Sequence, residues 1–387
     1  MKEKKGSPLL ALMQKYAKEL KLSLKDLFIA SLGSMYAHVY YIWRTFKPAL
    51  GFEKALDTYG TVWDAFAVVS FQAGMQALGV KTIKDLPTFG KIVQFCFTGV
   101  PALYEIKRNE PDEHVGQILW CANPAYGPAD LRFNRNDYYR QEIHLTFTYL
   151  RTLIAEAKKV GLTEDIEIEI PTGRCRDGSA CACQIILRTP RANKYRPLPE
   201  LQYRFIEDEM GTTEPILYIL KKQKRKIEDQ APGTFTGFFY TDYLAWKGLE
   251  NSVPAEKAKE IYFDLWRTFP PLWSKEARLN LWLGKPDTLT EIADIIISCE
   301  QKKYMPYTIT KKNGVVILTS SLNPYVEVMS AFGLEKRCSY FKTITKRDQD
   351  FIDRVLIETR ADKYFKATLT RAISEGDQVN QVEVIKR

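Results

Sequence analysis

The stretch that decides the fold is GFEKALDTYGTVWDAF at Gly51–Phe66, because it returns as PAEKAKEIYFDLWRTF at Pro254–Phe269. Glu53, Lys54, Ala55, Tyr59, Trp63 and Phe66 recur as Glu256, Lys257, Ala258, Tyr262, Trp266 and Phe269, each 203 residues later. Upstream, Tyr40 and Trp43 pair with Tyr243 and Trp246. Downstream, Leu86, Ile92 and Cys96 pair with Leu289, Ile295 and Cys299. A constant offset with matched tryptophans is the mark of an internal repeat. Further on the offset shortens, as loop-length changes would cause, so that Asn123-Pro124 faces Asn323-Pro324.

The spacing Tyr-x3-Trp-x2-Phe places the aromatics on one helical face, which reads as core. Residues Gln141–Val160 read as a helix closed by Gly161. Ile166–Ile170 alternates apolar and charged residues, the pattern of a half-buried strand, and Cys181–Leu187 returns as its partner. The second copy closes the same way, with strands at Tyr364–Thr370 and Val379–Ile385 around Glu375-Gly376-Asp377. Helices followed by strands predict an α+β fold, a tandem duplication of a helical unit ending in a β-hairpin, in a pseudo-twofold arrangement. The expected domains are 1–190, a linker with an early helix at 191–235, and 236–387.

At 387 residues and 45% hydrophobic, the chain can bury a full core. The net charge of +9 would suit an anionic partner. The densest basic run, Lys221, Lys222, Lys224, Arg225 and Lys226, reads as a solvated linker or helix face. No nucleic-acid-binding signature accompanies it, so nucleic acid is disfavoured as a partner. No stretch reaches the roughly 18 to 20 apolar residues of a membrane span. The seven cysteines are odd in number and sparse, and no signal-peptide pattern opens the chain, which predicts free thiols and a cytoplasmic location.

The copies differ in their cysteines. Cys121, Cys175, Cys181 and Cys183 belong to the first alone; Ser321, Asn380 and Val382 stand opposite Cys121, Cys181 and Cys183. Only Cys96 and Cys299 are shared, in apolar helices where they read as core. Three readings of the first-copy thiols stay open. Cys121, Cys175, Cys181 and Cys183 together would offer four thiolates to zinc or an iron–sulfur cluster. Alternatively one thiol is catalytic, activated by Arg174 and Arg176, with Asp177 and His144 as acid or base. Or they simply pack, since Cys181 and Cys183 share one strand face. Of the other histidines, His38 sits on an aromatic helix and His114 is expected in a polar loop beside Asp112 and Glu113. Asn123-Pro124, continuing through Tyr126 to Gly127-Pro128, reads as a turn able to approach a ligand.

The run from Asn323-Pro324 through Leu334, Cys338 and Tyr340-Phe341 to Glu375-Gly376-Asp377 and Asn380 resembles the L-2-amino-thiazoline-4-carboxylate hydrolase-like family. The corresponding places in the first copy are Cys121 near Asn123-Pro124, and Asp177-Gly178-Ser179 leading to Cys181. The match departs at Asn380, where the family has cysteine, and at the inverted order of Asp177-Gly178. The resemblance implies a small-molecule hydrolase acting on a C–N bond. Cys181, Asp177 and His144 would be catalytic, and Cys121, Asn123, Tyr126, Arg174 and Arg176 would bind substrate. The chain also resembles, more distantly, four-vinyl-reductase-like ligand-binding domains. That implies a module holding an apolar or tetrapyrrole-like ligand among Tyr36, Tyr40, Trp43, Trp63 and Phe66. An accessory subunit of a metalloenzyme, with a protein partner, is the third alternative.

Overall fold

The structure is a computed structural model that describes residues 8–99, 102–121, 135–171, 183–200, 214–335 and 338–387. It is α+β, with two four-stranded antiparallel sheets. The chain divides into two compact units: Met35–Thr234, and Met1–Ser34 together with Phe235–Arg387. Residues 191–235, read from sequence as a linker and early helix of the second copy, fall almost wholly in the unit Met35–Thr234.

In the unit Met35–Thr234, helix α2 (Leu24–Leu50) supplies its second half, followed by α3 (Phe52–Ala77) and α4 (Leu86–Gly99). Gly51, at φ 81°, turns the chain between α2 and α3, a conformation that only glycine adopts without strain. Strands β1 (Ala102–Asn109) and β2 (Glu113–Cys121) form a hairpin, and α5 (Arg135–Lys159) leads to β3 (Glu167–Glu169) and β4 (Cys183–Arg188). The sheet order is β1-β2-β4-β3. One face packs Tyr104, Ile118, Ile185 and Leu187 against Phe89, Val93 and Phe97 of α4 and Tyr149, Leu150 and Leu153 of α5. The other face carries Gln117 and Gln184, which donate to the carbonyls of Glu200 (2.8 Å) and Pro199 (2.7 Å), while Arg108 donates to Pro197 O (2.9 Å). Pro197–Glu200 is thus tied to the sheet by side-chain donors instead of running as a solvated linker. Helix α6 (Pro215–Lys222) and the start of α7 (Ile227–Ser252) complete the unit.

In the other unit, α7 continues into α8 (Ala255–Arg267) and α9 (Phe269–Asn280). The single helix α3 corresponds to these two, because Pro270 and Pro271 lack the N–H groups that would continue one ladder. Helix α10 (Leu289–Gln301), strands β5 (Thr308–Lys312) and β6 (Val315–Ser320), helices α11 (Pro324–Ala331) and α12 (Ser339–Glu358), and strands β7 (Phe365–Arg371) and β8 (Asn380–Lys386) follow. The order β5-β6-β8-β7 repeats that of the first sheet. Each sheet therefore carries a further hairpin upstream of the closing hairpin read from sequence. An aromatic cluster of Phe235, Phe238, Phe239, Tyr304 and Tyr325 fills the core. Helix α1 (Pro8–Glu19) joins it through Tyr16, whose ring lies 5.5 Å from Phe235 and whose hydroxyl donates to Glu327 (3.1 Å). Tyr304 donates to Ser34 (2.8 Å).

Candidate functional site

Helix α6 ends in a way its sequence does not advertise. Lys224 takes the left-handed conformation (φ 54°), a role glycine usually fills. Its N–H donates to Lys221 O, and the N–H of Arg225 donates to Leu220 O (2.9 Å). This Schellman turn sends the chain back on itself. Gln223 Nε2 then donates to Ala102 O at the start of β1 (2.8 Å), and Arg225 donates to Thr98 Oγ1 (2.6 Å) and Thr98 O (3.3 Å) at the end of α4. The Arg225 guanidinium also lies 5.1 Å from the Phe95 ring.

These ties leave a cleft of about 570 Å³ between α4, β1 and the α6 turn. Among the described residues, Lys91, Lys222 and Arg225 contribute positive charges to its lining and Glu105 a negative one. Glu105 is already paired with Lys107 (2.7 Å). Phe95, Tyr218 and Leu78 supply apolar wall. The volume lies within the roughly 300–1,000 Å³ of small-molecule sites. Two residues of the basic run read as a solvated face, Lys222 and Arg225, therefore line a cleft. Burial lowers the Arg225 guanidinium from its ordinary value, with Asp229 acting against that shift.

Beneath the cleft lies a buried polar relay. Asn109 Nδ2 donates to Pro87 O (2.9 Å), which leaves Oδ1 as the acceptor facing His114 Nδ1 (2.8 Å). Nδ1 must then carry the proton, so Nε2 accepts from the Tyr104 hydroxyl (2.9 Å). Two glycines make room for it. A β-carbon at Gly90 would overlap His114 Nδ1 and Asn109 Oδ1, and one at Gly116 would overlap the Tyr104 hydroxyl and ring. His114, expected in a polar loop, is instead fully buried on β2, because the loop spans only the three residues between Asn109 and Glu113. Burial pushes the Tyr104 hydroxyl up and holds the His114 imidazolium down at about 4, against an ordinary 6.5.

That depression has a sign. Between pH 6.5 and 4 the unfolded chain binds a proton at His114 that the folded chain refuses, so stability falls as pH falls through this window. The loss approaches roughly 3 kcal/mol at its acid end. Urea midpoints measured across the window should drop less for His114→Gln than for the wild type; equal drops would remove His114 as the cause.

A second polar centre lies wholly within the other unit. The fully buried Asp242 accepts from Tyr262 (2.6 Å), Tyr340 (2.8 Å), Trp266 Nε1 (3.0 Å) and Arg347 (3.1 Å). The Arg347 guanidinium lies 4.2 Å from the Trp266 ring and 4.3 Å from Tyr325, and it also donates to Asp348 (2.8 Å). Lys303 reaches Asp348 (3.0 Å) and Glu300 (2.8 Å). Burial would raise the Asp348 carboxyl, but Arg347 and Lys303 overcome it and hold the group below its ordinary value. At Glu300 burial outweighs the nearby Lys303 and raises the carboxyl above its ordinary value. The first copy has Val39 where the second has Asp242.

Of the residues singled out from sequence, Asn123, Tyr126, Arg174, Cys175, Arg176, Asp177 and Cys181 lie outside the described residues. His144 is exposed on α5. Cys121 ends β2, and Cys183 opens β4, half-buried, with Ile118 as its Cα partner. Among the described residues no group of three His, Cys, Asp or Glu side chains is placed to hold a metal ion. Cys96 and Cys299 are buried as expected, and burial pushes the Cys96 thiol up to about 12, which keeps it protonated and inert. Tyr36, Tyr40 and Trp43 are buried packing residues. Trp63 meets Tyr149 edge-on at 6.2 Å, and Phe66 packs against the sheet core. In the second copy the residues that carry the family resemblance shape local backbone. Asn323 caps α11 by accepting from Val326 N (3.4 Å), Asp377 accepts from Ala372 N (2.9 Å), and Asn380 accepts from Ile373 N (2.8 Å). No helix among the described residues is long and apolar enough to cross a membrane. No family model, curated protein or solved structure matches the chain.

Proposed function

We propose that the chain is a binding protein for a small anionic molecule held in the cleft between α4, β1 and the α6 turn. The observation that carries this reading is the placing of Arg225. A helix end in a strained left-handed turn delivers a guanidinium to a cleft that Lys91 and Lys222 also line. Thr98 takes two of its donors, and a guanidinium has five. Cations set against an apolar wall suit an anion with a hydrophobic body.

Fluorescence titration of the whole chain with anilinonaphthalene sulfonate, an aromatic anion, tests it. Saturable binding is expected, weakened about tenfold or more in Arg225→Met, since a charge-assisted hydrogen bond contributes about 1.5–3 kcal/mol. Lys222→Met, at an exposed position, should weaken it without changing the melting temperature. Titrations identical to the wild type in both variants would place the dye elsewhere and end the reading.

The second reading is a thiol-dependent hydrolase of a C–N bond, as the thiazoline-carboxylate hydrolase-like resemblance implies. It is supported by sheet register. Because Ile118 pairs with Cys183, Cys121 and Cys183 come to the same end of adjacent strands, and Cys181 is two residues from Cys183. Iodoacetamide should then modify one thiol fast in the native chain, and Cys181→Ser should abolish that fast phase. Survival of the fast phase would take Cys181 out of the mechanism.

A further inference from the structure

The two copies end corresponding helices with the same turn. After α3, the N–H of Gly79 donates to Gln76 O (3.2 Å) and that of Val80 to Met75 O (2.9 Å). After α9, the N–H of Trp282 donates to Leu279 O (3.1 Å) and that of Leu283 to Arg278 O (2.8 Å). Gly79 and Trp282 stand at the repeat offset of 203, and both are left-handed, at φ 64° and 55°. Glycine is the usual occupant of that position, because a β-carbon is crowded there. Tyr304 shares the conformation, but its ring is buried in the aromatic cluster, which holds it. Trp282 is 95% exposed, so packing of its ring does not hold it there. A large apolar side chain kept in an unfavourable conformation and presented to solvent marks a contact surface.

The residues around the turn differ between the copies in the same sense. Leu279, 67% exposed, stands where the first copy has Gln76, and Leu272, 50% exposed, lies two turns before it on the same face of α9. Lys275, Arg278 and Lys285 stand where the first copy has Gln72, Met75 and Thr82; the first copy's own lysines, Lys81 and Lys84, lie beyond its turn, opposite Gly284 and Asp287. Glu276 is the one carboxylate within Leu272–Lys285, and Lys302 bridges it (2.6 Å). Lys285 lies 4.6 Å from the ring of Tyr364, itself exposed. We infer that this corner, the end of α9 with its turn, seats on the surface of an anionic lipid bilayer. A protruding indole and two leucines suit a medium that parts around them, and tryptophan is at home at the headgroup level, ring in the apolar layer and N–H among polar groups. Lys275 decides between a bilayer and a protein. It falls on the leucine face, where the core of a protein interface disfavours lysine, whereas at a bilayer its stem lies along the apolar surface and its charge reaches the headgroups. Anionic headgroups complement Lys275, Arg278 and Lys285. Such a contact lies on the bilayer without spanning it.

Co-sedimentation of the whole chain with vesicles tests it, using phosphatidylcholine alone and phosphatidylcholine mixed in equal parts with phosphatidylserine. Binding to the mixed vesicles is expected, with weaker binding to phosphatidylcholine. Trp282→Gly/Leu279→Gln, which installs the residues of the first copy, should weaken binding about tenfold or more through lost apolar burial. Its melting temperature should hold or rise, since glycine takes the left-handed position without strain. Lys275→Gln/Lys285→Gln, two exposed positions, should lower binding to the mixed vesicles by about fivefold per lysine and leave binding to phosphatidylcholine unchanged. No binding to either vesicle would overturn the inference, as would binding undiminished in Trp282→Gly/Leu279→Gln. A lipid-free dimer in sedimentation velocity that Trp282→Gly/Leu279→Gln converts to monomer would also overturn it, making the corner an interface between copies of the chain.

Discussion

Arg347→Met should destabilise the unit that contains it by about 3–5 kcal/mol, the cost of breaking a buried ion pair from one side. The substitution keeps much of the apolar stem, so the loss is chiefly electrostatic. Asp242 retains its bonds from Tyr262, Tyr340 and Trp266 but loses the Arg347 guanidinium at 3.1 Å. Asp348 keeps Lys303. The two aromatic faces at 4.2 and 4.3 Å lose the guanidinium they stack on. Arg347→Lys should recover little, because one ammonium cannot reach Asp242 and Asp348 while filling a planar slot between two rings. Pairing Arg347→Met with Asp242→Asn should recover part of the loss, since one uncompensated charge is removed. Urea unfolding followed by tryptophan fluorescence, which reports on Trp266 in the centre of the network, checks the series. A loss below about 1 kcal/mol in the single variant would mean that water enters the site and screens it.

Gly116→Ala is expected to cost about 3 kcal/mol or more in the other unit, at the upper end of overpacking effects. A single β-carbon on β2 would overlap the Tyr104 hydroxyl and ring. The ring has nowhere to retreat. It stacks on Phe97 at 5.5 Å and on His114 at 6.2 Å, and its hydroxyl is committed to Nε2 of His114. Swinging it aside would strand a fully buried imidazole. In a unit of this size the penalty corresponds to a fall of about 6–12 °C in melting temperature. Adding Tyr104→Leu should restore part of it, because the overlapping atoms are gone although the histidine loses its donor. Gly116→Ala melting with the wild type would show that the ring can leave its slot at little cost.

How much of this was legible in the sequence differs from one element to the next. Of the matched pairs, Tyr59, Tyr262 and Trp266 are buried and Trp63 is half-buried against the core, and the alternation at Tyr364–Thr370 does mark β7. Strands β1 and β2 were hidden because the core face of β2 carries His114 and Gly116, residues that read as polar and as a turn. They are there because a relay and a tyrosine ring fill the space that apolar side chains would otherwise take. Strand β5 has no inside-outside alternation at all, since all five of its residues are exposed. The cleft was illegible for a different reason. Lys222 and Arg225 read as a solvated run, and only the left-handed turn at Lys224, a conformation no lysine announces, brings Arg225 back to α4. The buried ion network does have a signal in the sequence. Asp242 stands in the second copy where the first has Val39, on a helix otherwise rich in aromatics. Comparing the copies for gained charges, as well as for lost thiols, would have pointed to it.

The unit completed by helix α1 draws on both ends of the chain: Tyr16 and Ser34 meet Phe235, Tyr304 and Glu327. During synthesis on the ribosome its first piece emerges some two hundred residues before the partners it packs on. The central unit has all of its sequence available first and can collapse while the opening helix still waits, its apolar face uncovered. For that interval Met13, Tyr16 and Ala17 of helix α1 await Phe235 and its neighbours, a natural point of engagement for chaperones.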